Sequence, residues 1–324
     1  MHVIFANAAR TRTAATRRSL LSQSLLSTVK AATNTITRCS CTARLPLSRS
    51  FSASTANTTK CVSLEEDSVT SWGSNVRGLG HNNYLGKILN ARVYEAARET
   101  PLQHAPTLSA QLQNNVYLKR EDLQPVFSFK IRGAYNKIAQ LSREQLQAGI
   151  VACSAGNHAQ GVAMSANMLG VDAVIVMPKG TPSIKVDGVR KLKGNVKLHG
   201  ASYDEAAAEA HRLVEEEGRT LIHPFDDPHV IAGQGTIGME VLKQMTGKKL
   251  DAVIVCCGGG GMLAGIAAYV KRVRPGVMVI GVEAEDAAGM TASIRAGKRA
   301  SPSKADGPLR ATDTEWHCGP LRTH

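Results

Sequence analysis

The chain has 324 residues, is 43% apolar and carries a formal charge of +13, so it can bury a large core and holds room for about two domains. The location of the charge excludes the simplest reading of it. Residues 1–64 contain no Asp or Glu but nine basic residues, from Arg10 to Lys60, so only +4 of the +13 belongs to residues 65–324. The total therefore does not imply a nucleic-acid surface, and no apolar run is long enough to span a bilayer.

Residues 1–60 read as an organelle transit peptide without fixed structure. They are rich in Arg, Ser and Thr, and Leu20, Leu21, Leu25, Leu26 and Val29 share one helical face. A basic, amphipathic, acid-free start is what import requires. Arg49-Ser50-Phe51-Ser52 is similar to a mitochondrial processing site, so a mitochondrion is the expected location and a plastid the alternative. A basic arm on nucleic acid would want interleaved aromatics and glycine, which are lacking. The seven cysteines show no zinc-like C-x-x-C pairing, so a reduced compartment and no metal are expected.

At FSFKIRGAY, residues 127–135, Lys130 stands between Phe129 and Ile131. An ammonium in apolar company is either a snorkelling surface lysine or a desolvated one, whose lowered pKa makes it nucleophilic.

From Gly149 onward strands and helices alternate. Ile150–Cys153 reads as a strand, Asn157–Leu169 as a helix, Asp172–Met177 as a buried strand, Ile184–Leu192 as a helix and Val196–His199 as a strand. Ser202 and Glu205 form a capping-box pattern before a stripe of Ala206, Ala210, Leu213 and Val214. Thr220–Ile222, Leu250–Val255 and Val277–Val282 read as strands, with helices at Val230–Met245 and Gly265–Arg272. Such alternation predicts parallel sheets with helices on both faces, whose ligands sit at the carboxyl ends of strands.

Three loops at strand ends stand out: Ser154–His158, Pro178–Pro182 and Gly258–Gly261. Four consecutive glycines before a helix let backbone N–H groups converge on an anion, most plausibly a phosphate. The rival is a nicotinamide fingerprint, since Gly259, Gly261 and Ala264 match G-x-G-x-x-A and Glu283 ends the next strand. Ser154 to His158 offers donors for a carboxylate, although Ser154 or Asn157 could simply cap the helix and His158 could be an interior histidine. A phosphate cradle, a carboxylate cradle and a desolvated lysine together suggest pyridoxal phosphate.

YLKREDLQPVFSFKIRGAYNKI, SAGNHAQGVA, MPKGTPSIKVDGVRKLKG, HPFDDPHVIAGQGTIGMEVL, GGGGMLAGIA and VIGVEAED, in register from about Tyr84 to about Gly297, resemble the successive signatures of the threonine dehydratase family. These are fold-type II pyridoxal phosphate enzymes, and YLGKILNARVYEAARETPLQHAP resembles their biosynthetic branch. The resemblance implies an α/β, tryptophan synthase β-like fold of two parallel-sheet lobes. A catalytic domain would occupy 61–297, with its small lobe at about 128–230. It further implies that Lys130 forms the Schiff base, that Asn157 bonds the ring hydroxyl, and that Gly258, Gly259, Gly260, Gly261 and Met262 form the phosphate loop. Ser154, Gly156 and His158 would surround the substrate carboxylate. The implied reaction is deamination of L-threonine, with L-serine as the alternative, to 2-oxobutanoate and ammonia in isoleucine biosynthesis. A homo-oligomer is implied, with neither nucleic acid nor membrane as partner. Ala155 stands where related serine racemases carry a second serine, which favours elimination over racemisation. Residues 298–324 lack alternation and read as a divergent tail, leaving the large lobe incomplete and the regulatory region absent; a non-catalytic binding fragment is thus a further alternative.

Overall fold

The computed structural model describes residues 3–8 and 83–298. The leader's apolar stripe, the Arg49–Ser52 site and the tail from residue 299 lie outside the described residues. Among the described residues no helix is long and apolar enough to cross a membrane.

β1 (Val3–Ala8) is followed, after the undescribed stretch, by α1 (Tyr84–Leu89), capped by the Asn83 side chain. β2 (Leu102–His104), α2 (Pro106–Leu112) and β3 (Asn114–Lys119) come next, with Pro106 at a first-turn position where its missing N–H has no helical partner to lose. α3 (Lys130–Ile138) starts on the singled-out lysine, and Ser142 with Gln145 makes a full capping box for α4 (Arg143–Ala148). β4 (Ile150–Cys153), α5 (Asn157–Leu169), β5 (Ala173–Met177), α6 (Ser183–Lys191), β6 (Asn195–Leu198) and α7 (Tyr203–Glu217) then alternate. β7 (Thr220–Leu221), α8 (Pro228–Gln244), β8 (Ala252–Cys256), α9 (Gly261–Val273), β9 (Met278–Val282) and α10 (Gly289–Ala296) complete the order.

β4 and β5 are buried at every position, as apolar strands covered on both faces must be. They form a wholly parallel four-stranded sheet, β6-β5-β4-β7. Ile150, Ala152 and Ile175 pack with Ala159, Val162 and Val189 of α5 and α6 on one face. Val151 and Val174 pack with Ala206, Ala210 and Leu213 of α7 on the other. At the start of α7 the Ser202 side chain accepts from Glu205 N, but the Glu205 carboxylate reaches Ala201 N rather than Ser202 N, so the expected box is only half formed.

The second sheet has the order β2-β3-β1-β8-β9 and is mixed: β8 and β9 pair in parallel, while β1 is antiparallel to both β3 and β8. Val3–Ala8, within the stretch read as a leader, supply its central strand. The physical reason is tertiary: β3 and β8 each present a row of backbone groups that only a strand between them can satisfy.

α3 is held against α8 at van der Waals limits. A Cβ on Gly233 would lie 2.6 Å from Arg132 O, so only glycine permits the approach. Beneath that contact lies a buried charge cluster. Arg132, fully buried, bonds Glu121 through two N–H groups at 2.8 Å and Glu240 at 2.5 and 2.9 Å. Lys119 Nζ pairs with Glu240 at 2.6 Å and donates to Thr100 O and Gln244. Two cations against two carboxylates leave no net charge, the condition under which burying ions is tolerable.

Candidate active site

Lys130 occupies the first position of α3, straight after the buried Phe129 of the large-sheet core. The turn before it is unusual, since Phe127 has φ of +55°. Lys130 Nζ donates to Pro224 O at 2.7 Å and lies 5.4 Å from the Phe129 ring centre. Desolvation brings its pKa down to about 8, which makes this the desolvated lysine rather than the snorkelling one.

Pro224 belongs to the loop between β7 and α8, and the same loop meets the glycine run. A Cβ on Gly259 would overlap the Phe225 ring, and one on Gly261 would lie 2.5 Å from Phe225 O. Gly260 takes φ of +84°, a left-handed conformation that glycine adopts without strain. It is the N-cap of α9 and provides no side-chain cap, so the first-turn N–H groups have no side-chain acceptor. Met262 buries its side chain in the core, so what it offers a ligand is its backbone N–H.

α5 opens in the same way. Gly156 is its N-cap without a side-chain cap, which rules out Ser154 and Asn157 as N-caps. A Cβ on Gly156 would meet nothing within 4 Å, so open space lies above this helix start. Ser154 Oγ accepts from Gly156 N at 3.3 Å, and Asn157 is exposed. α5 crosses α3 closely: a Cβ on Gly161 would sit 3.2 Å from Lys130 C.

His158 is buried. Its Nε2 meets Ile222 O at 2.8 Å, which makes that nitrogen the donor and leaves Nδ1 as an acceptor. Nδ1 has no hydrogen-bond partner. Burial, with the Lys130 charge nearby, pulls its pKa down to about 3, so the ring is neutral. Burial also lowers the His223 pKa, and its Nδ1 accepts from Asp226 N at 2.8 Å.

The structure thus brings Lys130, the 222–225 loop and the glycine run into one place and sets the start of α5 across Lys130. Two uncapped helix starts, an open space over Gly156 and the orphaned Nδ1 of His158 fit a group bearing an anionic phosphate and a polar ring. A separate cavity of about 390 Å³ lies on the α7 side of the loop, lined by Cys153, Tyr203, His211 and Phe225 but not by Lys130. Glu283, the acid of the nicotinamide reading, accepts from Met290 N, Thr291 N and the Thr291 hydroxyl, so it caps α10.

Sequence reasoning missed Pro224 and Phe225, whose roles fall to a carbonyl and a packed ring, and it missed the charge cluster under α3. Lys119 ends β3 and Glu121 begins a short 3-10 turn, so strand alternation carries no signal that the two share one side.

A family model described as pyridoxal-phosphate dependent enzyme matches residues 93–320. The chain is 56% identical over 220 residues to a protein named threonine dehydratase, mitochondrial, from Schizosaccharomyces pombe, covering 68% of this chain and 37% of that one. It is 57% identical over 222 residues to a threonine dehydratase 1 biosynthetic, chloroplastic, from Solanum lycopersicum, covering 68% and 36%. Among solved structures it is similar to the processed form of threonine deaminase isoform 2 from Solanum lycopersicum, with a TM-score of 0.65 and 50% identity over 67% of this chain and 60% of that chain. The chain spans little more than a third of the length of these two curated relatives.

Proposed function

The chain belongs to the pyridoxal-phosphate dependent enzyme family, and from that premise we propose that it is a threonine dehydratase. It converts L-threonine to 2-oxobutanoate and ammonia, the first step of isoleucine biosynthesis. The observation that carries this reading is Lys130, whose amine is desolvated to a pKa of about 8 beside two uncapped helix starts.

Lys130 Nζ would hold the cofactor covalently. The N–H groups of Gly258 to Met262 would hold its phosphate, helped by the partial positive charge of the α9 start. Asn157 would hydrogen-bond its ring hydroxyl. When bound, pyridoxal phosphate supplies an electron sink for the charge left when the substrate Cα loses its proton. Lys130 Nζ would be the base that takes that proton, since desolvation lowers its pKa to about 8. The start of α5, with Ser154, Gly156 and His158, orients the substrate carboxylate, and His158 does so without adding charge. Ala155 has no proton to give to the opposite face of Cα, which favours elimination over racemisation. L-serine is the alternative substrate.

The relatives' names support a mitochondrial location, with the plastid as alternative, and a homo-oligomer is the assembly proposed with it. A second reading is a chain that binds cofactor without turnover. Loading the chain with pyridoxal phosphate, reducing with borohydride and mapping peptides tests the attachment. The label is expected on Lys130; a label elsewhere, or none, overturns both readings.

A further inference from the structure

The loop between β7 and α8 makes two of the contacts on which the site depends. Its Pro224 O accepts the Lys130 Nζ hydrogen bond at 2.7 Å, and its Phe225 fills the space that a Cβ on Gly259 or Gly261 would need. A loop carbonyl holds an amine in place only if the loop is itself held. Ile222 N ends the strand with a bond to Val151 O, and Asp227 opens α8 as its N-cap. Between these two anchors stands the His223 ring. Its Nδ1 accepts from Phe225 N at 3.3 Å and from Asp226 N at 2.8 Å, and the ring meets Phe225 edge-on, with centroids 4.7 Å apart and planes at 83°.

Acceptance from the amides two and three residues ahead is the pattern of an Asx turn, with the imidazole Nδ1 in the place of an Asn side-chain oxygen. An accepting nitrogen carries no proton, so the geometry requires hydrogen on Nε2 alone. Both bonds fall on one nitrogen, and a single proton there removes them together. The ring is half-buried and lines the cavity beside α7 with Tyr203, Asp204 and His211, so it can titrate without the chain unfolding. Burial disfavours its charged form, as do Lys130 of α3 and His211 of α7, whereas Asp226 and Asp227 favour it; the net effect lowers its pKa. His158 of α5, whose Nε2 holds Ile222 O, faces it from the other side.

We propose that His223 is a positioning residue of this site: by accepting from Phe225 N and Asp226 N through Nδ1, it folds residues 223–226 so that Pro224 O meets Lys130 Nζ and Phe225 backs the glycine run. Without that acceptor the loop loosens, water reaches the Lys130 amine, and the desolvation that lowers its pKa is relieved. The inference rests on the reading of Lys130 as the reactive amine, but it concerns the cofactor-free chain. It can therefore fail while borohydride labelling of Lys130 succeeds, and the reverse. Because the folded-state pKa of His223 is lowered, its bonds are intact above the ordinary histidine value of about 6.5 and are lost as pH falls through the lowered value.

Acylation of Lys130 in the full, cofactor-free chain, read by peptide mapping against pH, tests it. The unaltered chain should show a midpoint of about 8. His223→Phe keeps a ring against Phe225 but has no acceptor, and its midpoint should rise by about one unit or more, an approximately tenfold loss of reactive amine at pH 8. His223→Asn puts an acceptor back in the same place and should keep the midpoint within about half a unit of the unaltered chain. An unchanged midpoint in His223→Phe with native far-ultraviolet dichroism, or a rise in His223→Asn equal to that in His223→Phe, overturns the proposal. Where His223→Phe does not fold, the unaltered chain decides. The ring nitrogen shifts of His223, assigned by their loss in His223→Asn, should show Nδ1 unprotonated at neutral pH. Exchange of the Phe225 and Asp226 amides, corrected for intrinsic rate, should quicken by about tenfold or more as the ring titrates, but not in His223→Asn. A proton on Nδ1 at neutral pH, or the same pH response in both chains, overturns it.

Discussion

Replacing Arg132 by Met removes the guanidinium that six hydrogen bonds hold, four to the carboxylates of Glu121 and Glu240, one to Thr236 and one to Arg98 O. Methionine fills much of the volume, so the loss is mainly electrostatic. Two carboxylates then share one cation, Lys119, and one buried negative charge is left uncompensated. Breaking a buried pair from one side costs about 3–5 kcal/mol, a large part of the roughly 5–15 kcal/mol that stabilises a typical domain. The effect depends on pH. Burial raises the Glu121 pKa, but the charge and hydrogen bonds of Arg132 outweigh it and hold the carboxyl below its ordinary value. Without Arg132 burial prevails, the folded-state pKa rises, and the variant takes up a proton on folding as pH falls. Urea unfolding should therefore show a deficit of about 3–5 kcal/mol at neutral pH that shrinks towards pH 5. Arg132→Lys, which keeps the charge but not the fork, should fall between. A deficit under about 1 kcal/mol with no pH dependence would refute the reasoning.

In the cofactor-free chain, acylation of the Lys130 amine should follow a midpoint near pH 8 rather than the ordinary 10.5, because desolvation lowers its pKa; a midpoint above 10 in peptide-mapped labelling contradicts the burial argument. Since the unfolded chain binds that proton between pH 8 and 10.5 and the folded chain does not, stability should rise with pH across this window, and Lys130→Met should abolish the rise. Gly259→Ala drives a methyl into the Phe225 ring, so cofactor absorbance should fall sharply in equilibrium titration while far-ultraviolet dichroism changes little. Asp227 caps α8 through His229 N at 2.8 Å and Val230 N at 3.1 Å and pairs with Lys137 at 2.7 Å. Burial works against its ionised form, but these partners outweigh it and lower its pKa. Asp227→Ala should cost about 1 kcal/mol, a difference present at neutral pH and lost as pH falls through the lowered value; an equal deficit at pH 3 and pH 7 would exclude the cap's charge as the cause.

The repeating part of the fold is legible because its strands are continuous apolar runs and its helices carry stripes. β4 and α5 lie at the expected residues, and β5, β6, β8 and β9 differ by one or two at their ends. Lys130 and the glycine run are legible for a chemical reason, since few contexts call for an ammonium among phenylalanines or for four glycines. The partner of Lys130 is a carbonyl, and Pro224 O leaves no trace in a side-chain pattern. Lys119, Glu121, Arg132 and Glu240 are scattered over more than a hundred residues and look like solvated surface until the fold brings them together. β1 is illegible because a basic, acid-free leader carries the signature of import, whereas the slot it fills exists only once β3 and β8 are placed.

Turnover is the most direct test of the central claim. The purified chain, loaded with pyridoxal phosphate, should release 2-oxobutanoate and ammonia in equal amounts from L-threonine, and Lys130→Ala loaded in the same way should release neither. Turnover by Lys130→Ala, or a chain that carries the cofactor on Lys130 yet forms no 2-oxobutanoate, would contradict the account.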